Sequence, residues 1–466
     1  MLEPIRRILK NTVYLLGTQA TSMVARFIYA IALARLLGPE QYGLFFYALG
    51  WYLAFVPFTS LGLWAVISRD VGQSKERGRH TIQQALALRG SFALLSACVC
   101  GGAGWLIHDD LMTRQLLGVL SVALLGRSMA NLAEYIFNAY SASHYVLRLE
   151  MTYRPFEVLL GITLLLKGGT LLELAVIHAL AWWLQGMHGM YLIRKNFFPV
   201  KPEWNMQGIS RLLRKGGLLV IHTFLLVWFV QGPVILGRHS DLGLAELGQL
   251  ALLFQVFNIL SQIPRVLVAT ALPVLSQQSL QEENQDKKLV ETGLEVSWLI
   301  GSLAALTGWI SGSSLVPAIF GDEFREAGAY LGPILYLLIP WSWGNMISLG
   351  MFSRGMLRKT TIAVIIGSLV FTLLFRPLTM SWMFHGIMIS LAAGLWLWVV
   401  LLYIFERMEK KLLIKSFMVN LCALSMLLLI SNKVVAFMIA IVLTLIGYWL
   451  FLISRSQRRY MLSRIF

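Results

Sequence analysis

Charge is scarce in this chain. Only 13% of its 466 residues are Asp, Glu, Lys or Arg, about half the share of roughly 25% found in soluble globular proteins. A water-exposed fold of this length would lack the polar surface to cover its core. Cysteine is scarce as well. Cys98, Cys100 and Cys422 all sit in apolar stretches, and two residues apart on a helix do not face each other, so Cys98 and Cys100 are badly placed to bridge. A disulfide scaffold is excluded. The eight His form no metal-type set with Cys or acids at ligand spacing. His178, Trp182, Gln185 and His188 share a helix face, but with no third ligand they read as core packing. No Gly-x4-Gly-Lys-Ser/Thr loop occurs, so the chain carries no nucleotide-driven motor of that kind.

Apolar residues, by contrast, make up 57% of the chain, with a mean hydropathy of +0.70. They come in long blocks such as 15–37, 45–66 and 436–453. A helix of about 20 such residues crosses ~30 Å of hydrocarbon. The first block is too long for a signal-peptide core, and no small-residue cleavage site follows it, so it is expected to remain as a membrane helix. About fourteen spans are predicted, near 12–36, 43–68, 83–107, 115–141, 154–167, 172–193, 216–237, 249–276, 289–316, 331–353, 360–375, 384–405, 416–431 and 434–454. The expected fold is therefore an all-α polytopic membrane protein.

The formal net charge of +16 does not point to nucleic acid, because the bases are not gathered on one face of a soluble module. They fall in short clusters between apolar blocks: Lys75, Arg77 and Arg79; Arg194, Lys195 and Lys201; Arg354, Arg358 and Lys359; Arg407, Lys410, Lys411 and Lys415. The alternate gaps hold acids, among them Glu40, Asp109, Asp110, Asp322 and Glu323. Positive residues favour the cytoplasmic side, so both termini are expected there.

The longest basic connection suggests a division. Residues 1–195 form a lobe of helices 1–6, 196–215 a cytoplasmic linker, 216–405 a lobe of helices 7–12, and 406–466 two further helices with a basic tail. A faint internal repeat accompanies it. Ala34-Arg-Leu-Leu-Gly-Pro-Glu-Gln-Tyr-Gly-Leu44 and Leu236-Gly-Arg-His-Ser-Asp-Leu-Gly-Leu-Ala-Glu-Leu-Gly248 each place a base at a helix exit, then an acid, then a glycine opening the next helix. Membrane transporters are often built from such repeats, with the binding site near the midplane.

Charges inside spans are costly and mark function. Arg26 lies in a polar stripe with Thr18, Ser22 and Tyr29. Arg127 lies with Asn131, Glu134, Asn138 and Ser141, and Arg265 with Gln255, Asn258 and Gln262. Spacing of three or four residues puts each stripe on one helix face, which in a bilayer must meet protein or water. The expected cavity is lined by Arg26, Arg127, Arg265, Asn131, Gln255, Asn258 and Gln262, with Arg89 near a helix end. Glu134 is a candidate to carry a coupling ion. Bases outnumber deep acids, so an anionic ligand is expected, with no metal and no cofactor beyond proton or sodium coupling. The alternative reading of these arginines is structural, as ties to neighbouring carbonyls or, for Arg127, to Glu134.

Lys10-Asn11, then Ala34 to Leu44 as quoted above, then Ser60-Leu-Gly-Leu-Trp-Ala-Val-Ile-Ser-Arg69 closely resemble the polysaccharide transporter family of the multidrug/oligosaccharidyl-lipid/polysaccharide flippase superfamily. The resemblance implies two six-helix lobes in a V around a central cavity, with two C-terminal helices. It implies a flippase of a bacterial inner membrane that moves an undecaprenyl-diphosphate-linked glycan from inner to outer leaflet. Membrane lipids, and the polymerase and chain-length proteins of a polysaccharide pathway, would be its partners. Arginines on the first and eighth helices line the cavity in related lipid II flippases, and Arg26 and Arg265 stand on those helices here. Two other readings compete. A multidrug extruder of the same superfamily would favour acids over bases. A membrane-embedded glycan polymerase or glycosyltransferase would need placed carboxylates on a sizeable external loop, and the external segments here are short.

Overall fold

The computed structural model describes residues 2–240, 242–262, 285–406 and 444. Among them there is no strand. The helices are α1 (Leu2–Ser60), α2 (Trp64–Gln73), α3 (Lys75–Ile107), α4 (Leu111–Ala139), α5 (Ser143–Leu166), α6 (Leu171–Asn196), α7 (Met206–Arg238), α8 (Leu244–Leu260), α9 (Gln285–Phe320), α10 (Arg325–Tyr336), α11 (Leu338–Ser353) and α12 (Leu357–Glu406). The thirteenth and fourteenth expected spans lie outside the described residues, as does Arg265.

Two of these helices are too long for a single crossing. At 1.5 Å per residue, the 59 residues of α1 would run about 90 Å. Each is broken where a second span was expected to begin. α1 breaks at Gly38 (φ 67°, ψ 172°), followed by Pro39. A positive φ suits Gly, and Pro cannot continue the hydrogen-bond ladder. α12 breaks at Trp382 and Met383, the latter at φ 49°. Seven helices among the described residues, counting these joined ones once, are long and apolar enough to cross a membrane. The protein is a multi-pass membrane protein. α5, with 24 residues, is long enough but is not among the seven, because Arg148, Glu150, Arg154 and Glu157 interrupt it.

Short polar segments start the helices by satisfying free backbone N–H groups. The Asp110 carboxylate accepts from Thr113 N at 2.9 Å. Thr170 and Glu173 form a reciprocal capping box at α6. Asn11 reaches across sequence to accept from Ser143 N at 3.0 Å, at the first residue of α5.

The chain divides into two compact units, residues 1–252 and 253–466. The first unit thus extends past the expected linker to include α7, because α7 lies along α1: the Phe58 and Phe224 rings are 5.1 Å apart. Nor is the connection before α7 loose. Glu203 N donates to Gln83 O at 3.1 Å, and its carboxylate takes Gln84 Nε2 and meets His80 Nδ1, each at 3.0 Å. The two halves of the internal repeat meet inside this unit. A Cβ on Gly43 would sit 2.6 Å from Gly248 N, and one on Gly248 would fall 2.0 Å from Pro39 O. Only glycine at both places permits that approach.

The second unit is cored by tryptophan. Trp298, Trp343 and Trp398 are fully buried. Trp343 donates to Leu294 O at 2.9 Å, joining α11 to α9, and Trp341 packs 6.3 Å from Trp398 of α12.

Candidate functional site

The polar residues inside the first unit gather on α1, α4, α5 and α6. α5 supplies the centre. Glu150, Arg154 and Glu157 lie at i, i+4 and i+7, on one helix face. Arg154 donates to the Glu157 carboxylate through Nη1, and its Nε lies 3.7 Å from Glu150 Oε1. Its Nη2 donates to Gln185 Oε1 of α6 at 2.5 Å, while Gln185 Nε2 donates to Glu150 Oε2 at 3.2 Å. Side-chain exposure is 7% for Arg154 and Glu157 and 11% for Glu150. One arginine thus holds two acids in a nearly water-free place.

α6 completes the group. Glu157 Oε1 lies 2.5 Å from His178 Nδ1, and Trp182 Nε1 donates to His178 Nε2 at 3.2 Å. The Trp182 ring carries two guanidiniums, Arg154 at 4.0 Å and Arg127 at 4.6 Å from its centroid. Arg127 also donates to Tyr52 Oη at 3.3 Å, and Tyr52 sets its ring edge-on to His178 at 5.4 Å. Tyr52, Arg127, Trp182 and His178 therefore close a ring of contacts.

Arg26 lies within the field of this group: the charges acting on it are Glu150, Arg127, Arg154 and Glu157. The charges acting on Glu134 are Glu150, Arg127, Arg26 and Arg89. Neither Arg26 nor Arg127 has a carboxylate within ion-pair distance among the described residues, and Glu134 has no ion pair there either. The Arg127–Glu134 tie of the alternative, structural reading is not formed.

Several expectations change at this point. Arg26, Arg127 and Glu134 lie within one another's electrostatic field, and Asn131 stands half-buried on α4. The excess of bases over acids does not hold for the cluster itself, because Arg26, Arg127 and Arg154 face Glu134, Glu150 and Glu157, three against three. Pairing breaks that balance. Arg154 takes up Glu150 and Glu157, which leaves two arginines and one glutamate without an ion-pair partner. Arg89 is held by backbone carbonyls and a ring. It is 1% exposed, donates to Ser128 O at 2.8 Å and Ser60 O at 3.4 Å, and stacks on Tyr135 at 5.1 Å. It is a tie among α1, α3 and α4. Asn138 leaves the stripe too, accepting from Ser143 Oγ at 2.7 Å in the turn before α5. His178, Trp182 and Gln185 are polar-network members rather than packing. Gln255, Asn258 and Gln262 are half-buried near the end of α8 in the second unit.

The sequence reading missed Glu150 and Arg154 because it began the fifth span at 154, whereas α5 begins at Ser143. The available signal was the Glu-x3-Arg-x2-Glu spacing itself.

A second cluster lies at the opposite end from the basic gaps. Tyr47 Oη accepts from Trp51 Nε1 at 2.6 Å and lies 2.9 Å from His108 Nε2 and 3.2 Å from His239 Nε2. The two imidazoles stack at 5.7 Å. Partial burial pushes both below the usual histidine range, and their mutual repulsion lowers His108 further. No group of three metal-binding side chains occurs among the described residues.

Comparison with known proteins gives a consistent picture. Residues 8–279 match the model of a family described as polysaccharide biosynthesis protein. The fold is similar to that of the lipid II flippase MurJ in an inward closed conformation, at TM-score 0.70 and 15% identity, over 94% of this chain and 97% of that one. It is also similar to the eukaryotic MATE transporter AtDTX14, at TM-score 0.62 and 16% identity, over 87% of this chain and 96% of that one. An inward-facing multidrug resistance MATE transporter of the MOP superfamily matches at TM-score 0.63 and 13% identity, over 85% and 94%. No curated protein sequence matches the chain.

Proposed function

We propose that this chain, which belongs to the polysaccharide biosynthesis protein family, is a flippase for a diphosphate-linked oligosaccharide on a polyprenyl carrier. The observation that carries the reading is the pair Arg26 and Arg127, two guanidiniums inside an apolar helical unit with no carboxylate partner among the described residues. An arginine at mid-membrane costs about 2.5–3.5 kcal/mol by insertion scales. An anionic ligand offsets that cost. Arginine stays charged and offers paired N–H donors that match phosphate oxygens, which a lysine does not. Tyr52 and Trp182 hold Arg127 by ring faces and one hydroxyl, leaving donors for a ligand.

On this reading the head group and glycan cross by alternating access through a polar cavity while the polyprenyl tail stays in lipid. The basic gaps support cytoplasmic termini, and the family resemblance supports a bacterial inner membrane and transfer from the inner to the outer leaflet. The carrier would be undecaprenyl diphosphate, and the product would pass to a polymerase and chain-length proteins. The protein would make and break no covalent bond. MurJ is named as a lipid II flippase, and that function supports this class of cargo.

The test is mass spectrometry of polyprenyl-linked glycans in cells with and without the protein. An unexported diphosphate-linked oligosaccharide should accumulate on its loss, and Arg26→Ala or Arg127→Ala should reproduce the accumulation at normal protein levels. An unchanged lipid pool with altered resistance to toxic cations would replace this reading with a multidrug extruder.

A further inference from the structure

We propose that His178 takes up a proton at Nε2 and thereby unseats Trp182, releasing Arg127 from its resting position. The argument begins with the tautomer. An indole N–H only donates, so Trp182 Nε1 at 3.2 Å requires a bare lone pair on His178 Nε2. A neutral imidazole then carries its proton on Nδ1, where it is donated to Glu157 Oε1 at 2.5 Å. The only place for a second proton is Nε2, already occupied by the indole N–H. Two donors cannot face each other, so protonation expels Trp182 from its hydrogen bond.

Trp182 does more than cap the histidine. Its ring is the shared platform under Arg127 and Arg154. Arg127 has one other hold, on Tyr52, and Tyr52 itself packs edge-on against His178. Both supports of Arg127 thus rest on the one imidazole. The proton balance is simple: water supplies H⁺, Nε2 binds it, no bond to carbon changes, and the ring gains one positive charge. That charge sits against Glu157 and competes with Arg154 for it, while Glu150 and Gln185 keep a second hold on Arg154. The titratable and charged groups facing the site are Glu150, Arg154 and Glu157 on α5, Arg127 and Glu134 on α4, and Arg26, Tyr29 and Tyr52 on α1. Tyr29 Oη is buried with no hydrogen-bond partner among the described residues.

The switch itself is a property of the side chains. Its consequence, that proton uptake alters anion binding at Arg127, rests on the flippase reading. The closing experiment separates the two. Full-length protein labelled with ¹⁵N histidine and ¹⁵N tryptophan is placed in lipid nanodiscs and titrated by NMR, with His178→Gln and Trp182→Phe assigning the two signals. In the neutral ring of wild-type His178 the proton should sit on Nδ1, and a second proton taken up at Nε2 should move the Trp182 indole signal in step with the histidine signal. Trp182→Phe removes the competing donor and should tighten proton binding roughly three- to tenfold, the effect of one hydrogen bond. A neutral ring protonated on Nε2, an indole signal that stays fixed through the titration, or an unmoved midpoint in Trp182→Phe each overturns the proposal. None of these readouts uses a glycolipid, so they stand if the cargo is wrong. Binding of inorganic diphosphate to the same samples then tests the coupling: affinity should change with the His178 titration in wild type, and independence from it overturns that consequence alone.

Discussion

Replacing Arg154 with Met should destabilise the first unit more than any exposed substitution. Among the described residues Arg154 is the only arginine or lysine paired with Glu150 and Glu157, and all three side chains are at most 11% exposed. Water therefore cannot take over when the guanidinium is removed. Breaking a buried pair from one side typically costs about 3–5 kcal/mol, because the partner charge is stranded. Here two acids are stranded on one helix face, so the upper part of that range applies. For a unit of 252 residues, with roughly 2–3 °C per kcal/mol, the apparent melting temperature in detergent should fall by about 8–15 °C. Removing the stranded charges as well should reverse much of this. The triple variant Arg154→Met, Glu150→Gln, Glu157→Gln leaves amides where carboxylates stood, and should recover at least half of the loss. Thermal unfolding of the wild type, the single variant and the triple variant decides the matter. If the triple variant unfolds no later than Arg154→Met alone, stranded charge is not the cause, and Arg154 acts through its packing on Trp182 instead.

Two further outcomes are expected. Arg89→Met strands the Ser60 and Ser128 carbonyls among α1, α3 and α4, and should cost about 1.5–3 kcal/mol, the worth of hydrogen bonds to a charged group; the mark of its structural role is that glycolipid export per folded molecule stays unchanged. The Tyr47–His108–His239 contact should loosen in acid. Both histidines are held below their usual range by burial, so they are neutral in the folded protein, and the stability they contribute is present above about pH 6.5 and is lost as pH falls through their lowered values. Cross-linking of Tyr47→Cys is unsuitable because it removes the hub, so hydrogen exchange of the amides around 104–110 and 236–242 between pH 7.5 and 5 is the measurement; unchanged protection over that window contradicts the assignment.

Much of the frame was legible because it depends on period and composition. Apolar blocks located the helices, and Gly38-Pro39 broke α1 where a second span was expected. The stripes carrying Arg26 and Arg127 were visible because helical spacing alone decides which residues share a face. Spacing does not say what the face meets. Arg89 and Arg127 are both lone arginines in apolar helices, yet one is satisfied by two carbonyls and the other stands on aromatic rings. That difference is made by residues remote in sequence: Ser60 and Ser128 of α1 and α4 for Arg89, and Tyr52 and Trp182 of α1 and α6 for Arg127. The Arg154 network was hidden for a related reason. Its members neutralise one another, so the helix they interrupt looks shorter and more polar than it is, and the fifth span appears to start at the very residue that centres the site.

The residues that carry the family resemblance are mostly builders of the frame. Asn11 caps α5, Gly38 breaks α1, and Gly43 admits the close pass with Gly248. The buried charge cluster lies elsewhere: Arg127 and Glu134 on α4, Glu150, Arg154 and Glu157 on α5 and His178 on α6, with Arg26 on the part of α1 that precedes the motif glycine. The division has a physical basis. Tight backbone contacts tolerate one residue type, so they leave a readable signature, whereas a charge cluster can be rebuilt from other helices provided that its pairing closes. Substitutions on α4, α5 and α6 can therefore rearrange the charge cluster without disturbing the backbone contact between Gly43 and Gly248. The chemistry of a chain on this frame has to be worked out from which buried charges are paired and which are left over.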